Sequence, residues 1–260
     1  MKIKNVYALY FSPTSSSKKG ALSIAHSLAS QWGAKVHEVD ITILNKKVQP
    51  ETFCAEDMVV FGAPVYSGRL YRGAAQRLAE FSAENTPCVV TVTYGNRHYD
   101  DALLEMYELA KKQGFVPFAA AALVAQHTFG DIQKGRPNER DLKENREFAL
   151  GAAKELIAGK KVLEQVPGNT PYKEGGGGGS FIPQTKDTCI ACGLCAEVCP
   201  QQAVDAENGY AVDASRCISC FACIKYCPVH AKCMETPEYL AFAEKFSKQL
   251  AQRRENEYFV

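Results

Sequence analysis

Nine of the eleven cysteines in this chain lie between Cys189 and Cys233, and only Cys54 and Cys88 come earlier. Eight of the nine repeat one spacing twice: Cys189-x-x-Cys192-x-x-Cys195-x-x-x-Cys199-Pro200, then Cys217-x-x-Cys220-x-x-Cys223-x-x-x-Cys227-Pro228. Three thiolates spaced in this way can wrap one cubane 4Fe-4S cluster from a tight loop. The fourth opens a segment that leaves the loop, helped round by the proline, and reaches the other cluster. The spacing therefore predicts one cluster on Cys189, Cys192, Cys195 and Cys227, and a second on Cys217, Cys220, Cys223 and Cys199. Structural zinc also takes four cysteines, but normally from two separated C-x-x-C pairs. Such crowding argues for metal binding rather than disulfides. Ala191, Gly193, Leu194, Ala196, Ile218, Ala222 and Ile224 between the ligands are small or apolar. They exclude water and leave backbone N–H groups for the sulfurs, both of which tune reduction potential. Cys233, the ninth, reads as a small buried hydrophobe.

A second set of chemistry-bearing residues lies near the N-terminus. Ser12-Pro13-Thr14-Ser15-Ser16-Ser17 follows an apolar run and opens a helical pattern. Hydroxyls and free N–H groups at a helix start suit an anion such as a phosphate, although serines and threonines there also serve as plain caps. Neither G-x-G-x-x-G nor G-x-x-x-x-G-K-S/T is present, which disfavours the usual dinucleotide fold and an ATPase. Two later loops share glycine for close backbone approach and tyrosine for stacking. They are Gly62-Ala63-Pro64-Val65-Tyr66-Ser67-Gly68 and Thr93-Tyr94-Gly95-Asn96-Arg97-His98-Tyr99-Asp100.

The elements that must position these loops alternate. Strands are expected at 3–11, 35–41, 57–63, 87–93 and 116–124, and helices at 17–31, 72–82, 99–113 and 139–158. Such alternation predicts an α/β fold with a doubly wound five-stranded parallel sheet covered on both faces. Ligands of such sheets bind beyond the carboxyl ends of the strands, where all three loops fall. The cysteine-rich part is expected to form a small separate α+β domain. The stretch 237–257 reads as an amphipathic helix packing on one of the domains, with Leu240, Phe242, Ala243, Phe246 and Leu250 apolar.

With 260 residues, 46% of them hydrophobic, and a net charge of +1, the chain has material for one or two cores. The charge gives no support for nucleic-acid binding or a polybasic membrane patch. No run approaches the ~18 apolar residues of a membrane span. The N-terminal apolar stretch is too short for a secretory signal, so a cytoplasmic protein is expected. Residues 181–260 carry 8 Lys+Arg against 10 Asp+Glu, and the remainder 22 against 19. Gly175-Gly176-Gly177-Gly178-Gly179-Ser180 reads as a flexible linker. The expected division is 1–165, a glycine-rich linker at 166–182, a cluster domain at 183–235 and a C-terminal helix at 236–260.

The cysteine region resembles the two-cluster bacterial ferredoxins over about residues 181–235, with Ala203-Val204 and Ala231-Lys232 following the two motifs. Residues 1–160 resemble a flavodoxin-like domain. Ser12, Thr14 and Ser17 stand at the hydroxyl positions of the flavodoxin phosphate loop, while Pro13, Ser15 and Ser16 replace its common Gly, Gly and Asn. That resemblance implies that Ser12, Thr14, Ser15, Ser16 and Ser17 hold the phosphate of FMN. It further implies that Pro64, Val65, Tyr66, Ser67 and Gly68, with Thr93, Tyr94, Gly95, Asn96 and Tyr99, surround the isoalloxazine. Ser-Pro-Thr in the first loop and Gly-Asn-Arg-x-Tyr-Asp-Asp later resemble the flavodoxin–ferredoxin fusion proteins across nearly the whole chain.

The resemblance implies an electron carrier with FMN and two 4Fe-4S clusters that serves redox partner proteins. The alternative is a flavin-dependent NAD(P)H or quinone oxidoreductase that uses the clusters as a relay. A redox sensor would need an output element that the sequence lacks. Arg97 is a candidate to steady charge on reduced flavin or a solvated loop residue. His127 is a flavin contact or a structural histidine. Trp32 reads as packing. His98 and Asp100 read as an acid–base pair, or as a surface residue and the N-cap of the following helix.

Overall fold

The computed structural model describes residues 2–44, 46, 48, 52–159 and 162–260. Five strands form the body of the main sheet: β1 (Asn5–Tyr10), β2 (Lys35–Asp40), β3 (Asp57–Tyr66), β4 (Thr86–Tyr94) and β5 (Phe115–Val124). All pair in parallel, in the spatial order β2-β1-β3-β4-β5. This is the flavodoxin-like order, with its switch point between β1 and β3.

Alternation along each strand explains the two cores. Val6, Ala8 and Tyr10 of β1 face one side with Met58 and Val60 of β3, against α1 (Ser16–Trp32) and α4 (Glu139–Ile157). Leu9, Phe11, Val59 and Phe61 face the other side, against α2 (Arg72–Leu78) and α3 (Ala102–Lys112). Both sheet faces are therefore apolar, as a parallel sheet requires. Asn138 starts α4 with a capping box. Its side chain accepts from the Arg140 and Asp141 N–H groups, and the Asp141 carboxylate accepts from the Asn138 N–H.

The cysteine region adds two short antiparallel pairings. They join β6 (Gln184–Thr185) to β9 (Lys232–Cys233), and β7 (Val204–Asp205) to β8 (Ala211–Val212). Two single-turn helices follow the triple-cysteine loops: α5 (Leu194–Glu197) and α6 (Ala222–Lys225).

Three expectations change. The C-terminal helix α7 spans Pro237–Gln249, with Thr236 as its side-chain cap, and ends there. The chain continues into β10 (Glu257–Phe259), which pairs antiparallel with β5 and covers the sheet edge. The charged sequence 253–257 hid a strand because it supplies anchors instead of an apolar face. Arg136 Nη1 donates to the Arg254 carbonyl at 2.7 Å, and the Val124 N–H donates to Asn256 Oδ1 at 2.8 Å. Secondly, Asp101 rather than Asp100 precedes α3, and Asp100 sits at φ 42° with its carboxylate paired to Arg97 and Lys173.

Thirdly, the glycine run is packed. Gly176 N–H donates to the Tyr66 carbonyl at 3.0 Å, Arg72 N–H to the Gly176 carbonyl at 2.8 Å and Gly179 N–H to the Ile218 carbonyl at 3.3 Å. At Gly175, Gly176, Gly178 and Gly179 a Cβ would come within 3.0 Å of a neighbouring atom, so at those four positions the run passes because it has no side chains. The cysteine region consequently docks on the carboxyl end of the sheet. Lys225 Nζ donates to the Thr14 carbonyl at 2.5 Å and Leu44 N–H to the Pro200 carbonyl at 3.2 Å.

Candidate functional site

A cavity of about 260 Å³ opens at the carboxyl ends of β1, β3 and β4, near the lower end of the ~300–1,000 Å³ typical of small-molecule sites. Ser12, Thr14, Ser16 and Ser17 line it from the first loop, Pro64, Val65, Tyr66 and Ser67 from the second, and Thr93, Tyr94 and Gly95 from the third. The Ser15 side chain does not cap α1; Lys18 N–H donates to Ser12 Oγ at 3.0 Å, and the N–H groups of Ser16 and Ser17 are left for an anion. Thr93 Oγ1 is buried on the wall without a hydrogen-bond partner among the described residues. An orphaned hydroxyl of this kind calls for a polar ligand edge. These features fit a phosphorylated, ring-bearing group such as a flavin mononucleotide.

Four residues expected at the cofactor do not line this cavity. Ser15 adopts φ 66° and turns its hydroxyl to Tyr226 Oη, 2.6 Å away. Gly68 is buried against Asp100. Asn96 is spent on the C-terminal segment: its Nδ2 donates to the Leu250 and Gln252 carbonyls, and its Oδ1 accepts from Arg254 N–H. Tyr99 is a core residue whose hydroxyl donates to Glu257 at 2.7 Å. Asn96 and Tyr99 thus hold down the tail that was expected to continue the C-terminal helix.

Other lining residues come from elements that sequence reasoning had assigned elsewhere. Phe242 and Phe246 of α7, Gly177, Gly178 and Gly179 of the glycine run, and Ser219 and Cys220 of the second cysteine loop complete the wall. Arg97 and His127 also line it. The aromatic signal of α7 was visible as helical spacing, but nothing local says which surface it covers. Phe129 packs edge-on or tilted against Phe181, Phe221, Tyr239 and Phe242, closing that side with rings. His127 Nδ1 accepts from Phe129 N–H at 2.8 Å, so a neutral ring carries its proton on Nε2. Burial drives the His127 pKa down to about 4. Gly95 is required beside it, because a Cβ there would enter the His127 ring.

The eight motif cysteines surround two further small cavities. Cys189, Cys192, Cys195 and Cys227 line one; Cys199, Cys217, Cys220 and Cys223 line the other. Among the described residues no three Cys, His, Asp or Glu side chains converge closely enough to hold a single ion. Thiols ringing a space suit a cubane better than a mononuclear zinc site. Burial pushes the Cys220 thiol well up and the Cys223 thiol up to about 12. Thiols so desolvated need a bound cationic centre to stay ionised, which the iron of a cluster held by these cysteines would supply. Burial also acts upward on Cys227, but backbone N–H groups of Lys232, Val229, Ala231 and His230 hydrogen-bond it and hold its thiol below the ordinary value.

The two quartets differ in setting. Cys192 is exposed and Cys189 and Cys227 are half-buried, whereas Cys220 and Cys223 are buried. The first quartet is therefore the outer one. Exposed Ile190 and Val229 flank it. The inner quartet shares Cys220 with the wall of the large cavity. Cys195 and Cys223, one from each quartet, pack in the same small buried cluster with Val204.

A family profile described as a 4Fe-4S dicluster domain matches residues 188–231. An uncharacterized protein of Methanocaldococcus jannaschii is 26% identical over 143 residues, which is 52% of this chain and 91% of that protein. Among solved structures, a flavodoxin from the domain Archaea aligns with 12% identity and a TM-score of 0.42, over 59% of this chain and 99% of its own. A Streptococcus pneumoniae flavodoxin aligns with 16% identity and a TM-score of 0.41, over 59% and 98%. Among the described residues no helix is long and apolar enough to cross a membrane. The dicluster match, with the strand order β2-β1-β3-β4-β5, assigns the chain a role in electron transfer: it joins a flavodoxin-like α/β domain to a domain for two 4Fe-4S clusters.

Proposed function

We propose that this protein is an electron carrier that binds FMN in the large cavity and passes electrons between FMN, the two 4Fe-4S clusters and redox partner proteins. The observation that carries the reading is Cys220, which lines both the large cavity and the inner quartet's cavity. Ser12, Thr14, Ser16 and Ser17 would hold the phosphate, and Tyr66, Thr93, Tyr94 and Gly95 would border the ring. Cys217, Cys220, Cys223 and Cys199 would hold the inner cluster, and Cys189, Cys192, Cys195 and Cys227 the outer. Bound there, FMN would exchange two electrons, and each cluster one at a time.

The chain's own residues set the conditions. Phe129, Phe242 and Phe246 keep water off the cavity. Tyr66 contributes a desolvated hydroxyl whose pKa is raised by burial and then by Cys220. The outer quartet, beside exposed Ile190 and Val229, is the side open to a partner protein. Residues 1–165 and 183–235 are the two proposed domains, with 236–260 serving both. Cysteines that bind clusters rather than pair as disulfides point to a reducing, cytoplasmic setting.

Roofing of the cavity by α7 and the cysteine region favours a carrier over a reductase that stacks a nicotinamide on the flavin. Anaerobic purification, iron and sulfide analysis and the visible spectrum test the cofactors. NADH or NADPH should leave that spectrum unchanged while dithionite bleaches it. Rapid bleaching by a pyridine nucleotide would overturn the carrier reading, and a protein without iron would overturn the cluster assignment.

A further inference from the structure

After its last cysteine each motif carries a proline and, three residues further on, an alanine. Ala203 and Ala231 each stand four residues after the last cysteine, and each donates its N–H to that cysteine's sulfur at 3.2 Å. The next residues are Val204 in the first motif and Lys232 in the second. Val204 lines the inner quartet's cavity and Lys232 lines the outer quartet's. The internal repeat therefore gives each cluster site one equivalent neighbour, apolar at one and cationic at the other.

Lys232 is only 3% exposed. Its Nζ donates to Thr185 Oγ1 at 2.7 Å and to the Tyr210 carbonyl. Both acceptors are neutral, and among the described residues no carboxylate pairs with it. A buried ammonium without a counter-charge is costly. A negatively charged cluster with four thiolates supplies that counter-charge from the lined cavity. The benefit runs both ways, because a fixed buried cation favours adding an electron beside it.

We propose that Lys232 sets the outer cluster at a higher reduction potential than the inner one, so that electrons settle on the cluster nearer the surface. The inference rests on the two-cluster reading above. Val204 provides no charge at the inner site. The Lys232 charge also reaches Cys217 and Cys223 of the inner quartet, but its side chain lines only the outer cavity, so the larger part of its effect falls on the outer cluster.

The test is redox titration of purified holoprotein followed by electron paramagnetic resonance, with iron and sulfide measured on every sample. Lys232→Gln keeps a donor for the Tyr210 carbonyl and removes the charge; Lys232→Arg keeps the charge. The wild type should show two separated potentials. Lys232→Gln should lower the higher one by a factor of at least about ten in the reduction equilibrium, 59 mV for one electron, and narrow the gap; Lys232→Arg should leave both in place. Equal wild-type potentials, an unchanged gap in Lys232→Gln, or the same shift in both variants would overturn the proposal. Loss of iron in Lys232→Gln but not in Lys232→Arg would support a charge requirement, whereas loss in both would make the residue a matter of shape and overturn it. A wild type without iron and sulfide would instead remove the two-cluster reading itself.

Discussion

Ser15 Oγ and Tyr226 Oη lie 2.6 Å apart, joining the loop before α1 to the helix that follows the second cysteine loop. The contact is between residues 211 positions apart in the chain. Ser15 has a left-handed backbone, φ 66°, and beside it Lys225 Nζ reaches the Thr14 carbonyl. The loop before α1 is thus held from behind by the cysteine region. Tyr226→Phe should cost about 1 kcal/mol, the ordinary net worth of such a bond. Urea unfolding of wild type and variant measures it, and an unchanged midpoint would mean that the hydroxyls do not pair in solution.

Two features of the site explain how far sequence alone reached. The strand–helix alternation and the eight cysteine spacings are local patterns, so the sheet and the grouping of thiols around two spaces were legible from them. Asn96 and Tyr99 were misplaced because their loop does sit at the right sheet edge. Their partners, Leu250, Gln252 and Glu257, lie more than a hundred residues away, and no local pattern announces them. Phe242 and Phe246 read as one apolar helix face, and the cavity they cover exists only after three distant segments meet. The glycine run is the sharpest case. Its composition signals slack, yet its lack of side chains is what lets it pack.

The buried His127 makes stability depend on pH. Its pKa is held near 4 in the folded protein by burial, against about 6.5 in an unfolded chain. Below pH 6.5 the unfolded chain gains a proton that the folded one does not, so stability falls from there down to pH 4. Between pH 7 and pH 5 the loss from this residue is roughly 2 kcal/mol. His127→Gln should flatten that part of the profile. Denaturant unfolding of the metal-free protein at both pH values would show it, and equal slopes in the two proteins would refute the assignment.

The outer quartet should surrender its iron first. Cys192 is exposed, whereas Cys220 and Cys223 are buried beneath Phe221, Ile218 and the sheet loops. An anaerobic chelator should therefore remove half the iron in a fast phase and the rest slowly. Cys192→Ala should lose the fast phase and keep the slow one. A single phase in the wild type would mean that the two sites are equally accessible.

The glycine run offers an internal control for whether it is a wall or a tether. A Cβ on Gly178 would sit 2.6 Å from Ile218 Cα, a backbone atom that cannot swing aside. A Cβ on Gly177 would meet nothing within 4 Å. Neither position has the left-handed backbone that would strain alanine by itself, so the two substitutions differ only in space. Gly178→Ala must push residues 177–179 away from the loop bearing Ile218, Ser219 and Cys220, at an overpacking cost of about 1–3 kcal/mol. Because that loop and those glycines both line the large cavity, flavin affinity should weaken by about tenfold or more, since each 1.4 kcal/mol is tenfold. Gly177→Ala should bind like wild type. Fluorescence titration of the flavin-free variants with FMN measures both. If the two variants bind equally well, the run is a slack connection and the cavity has no wall there.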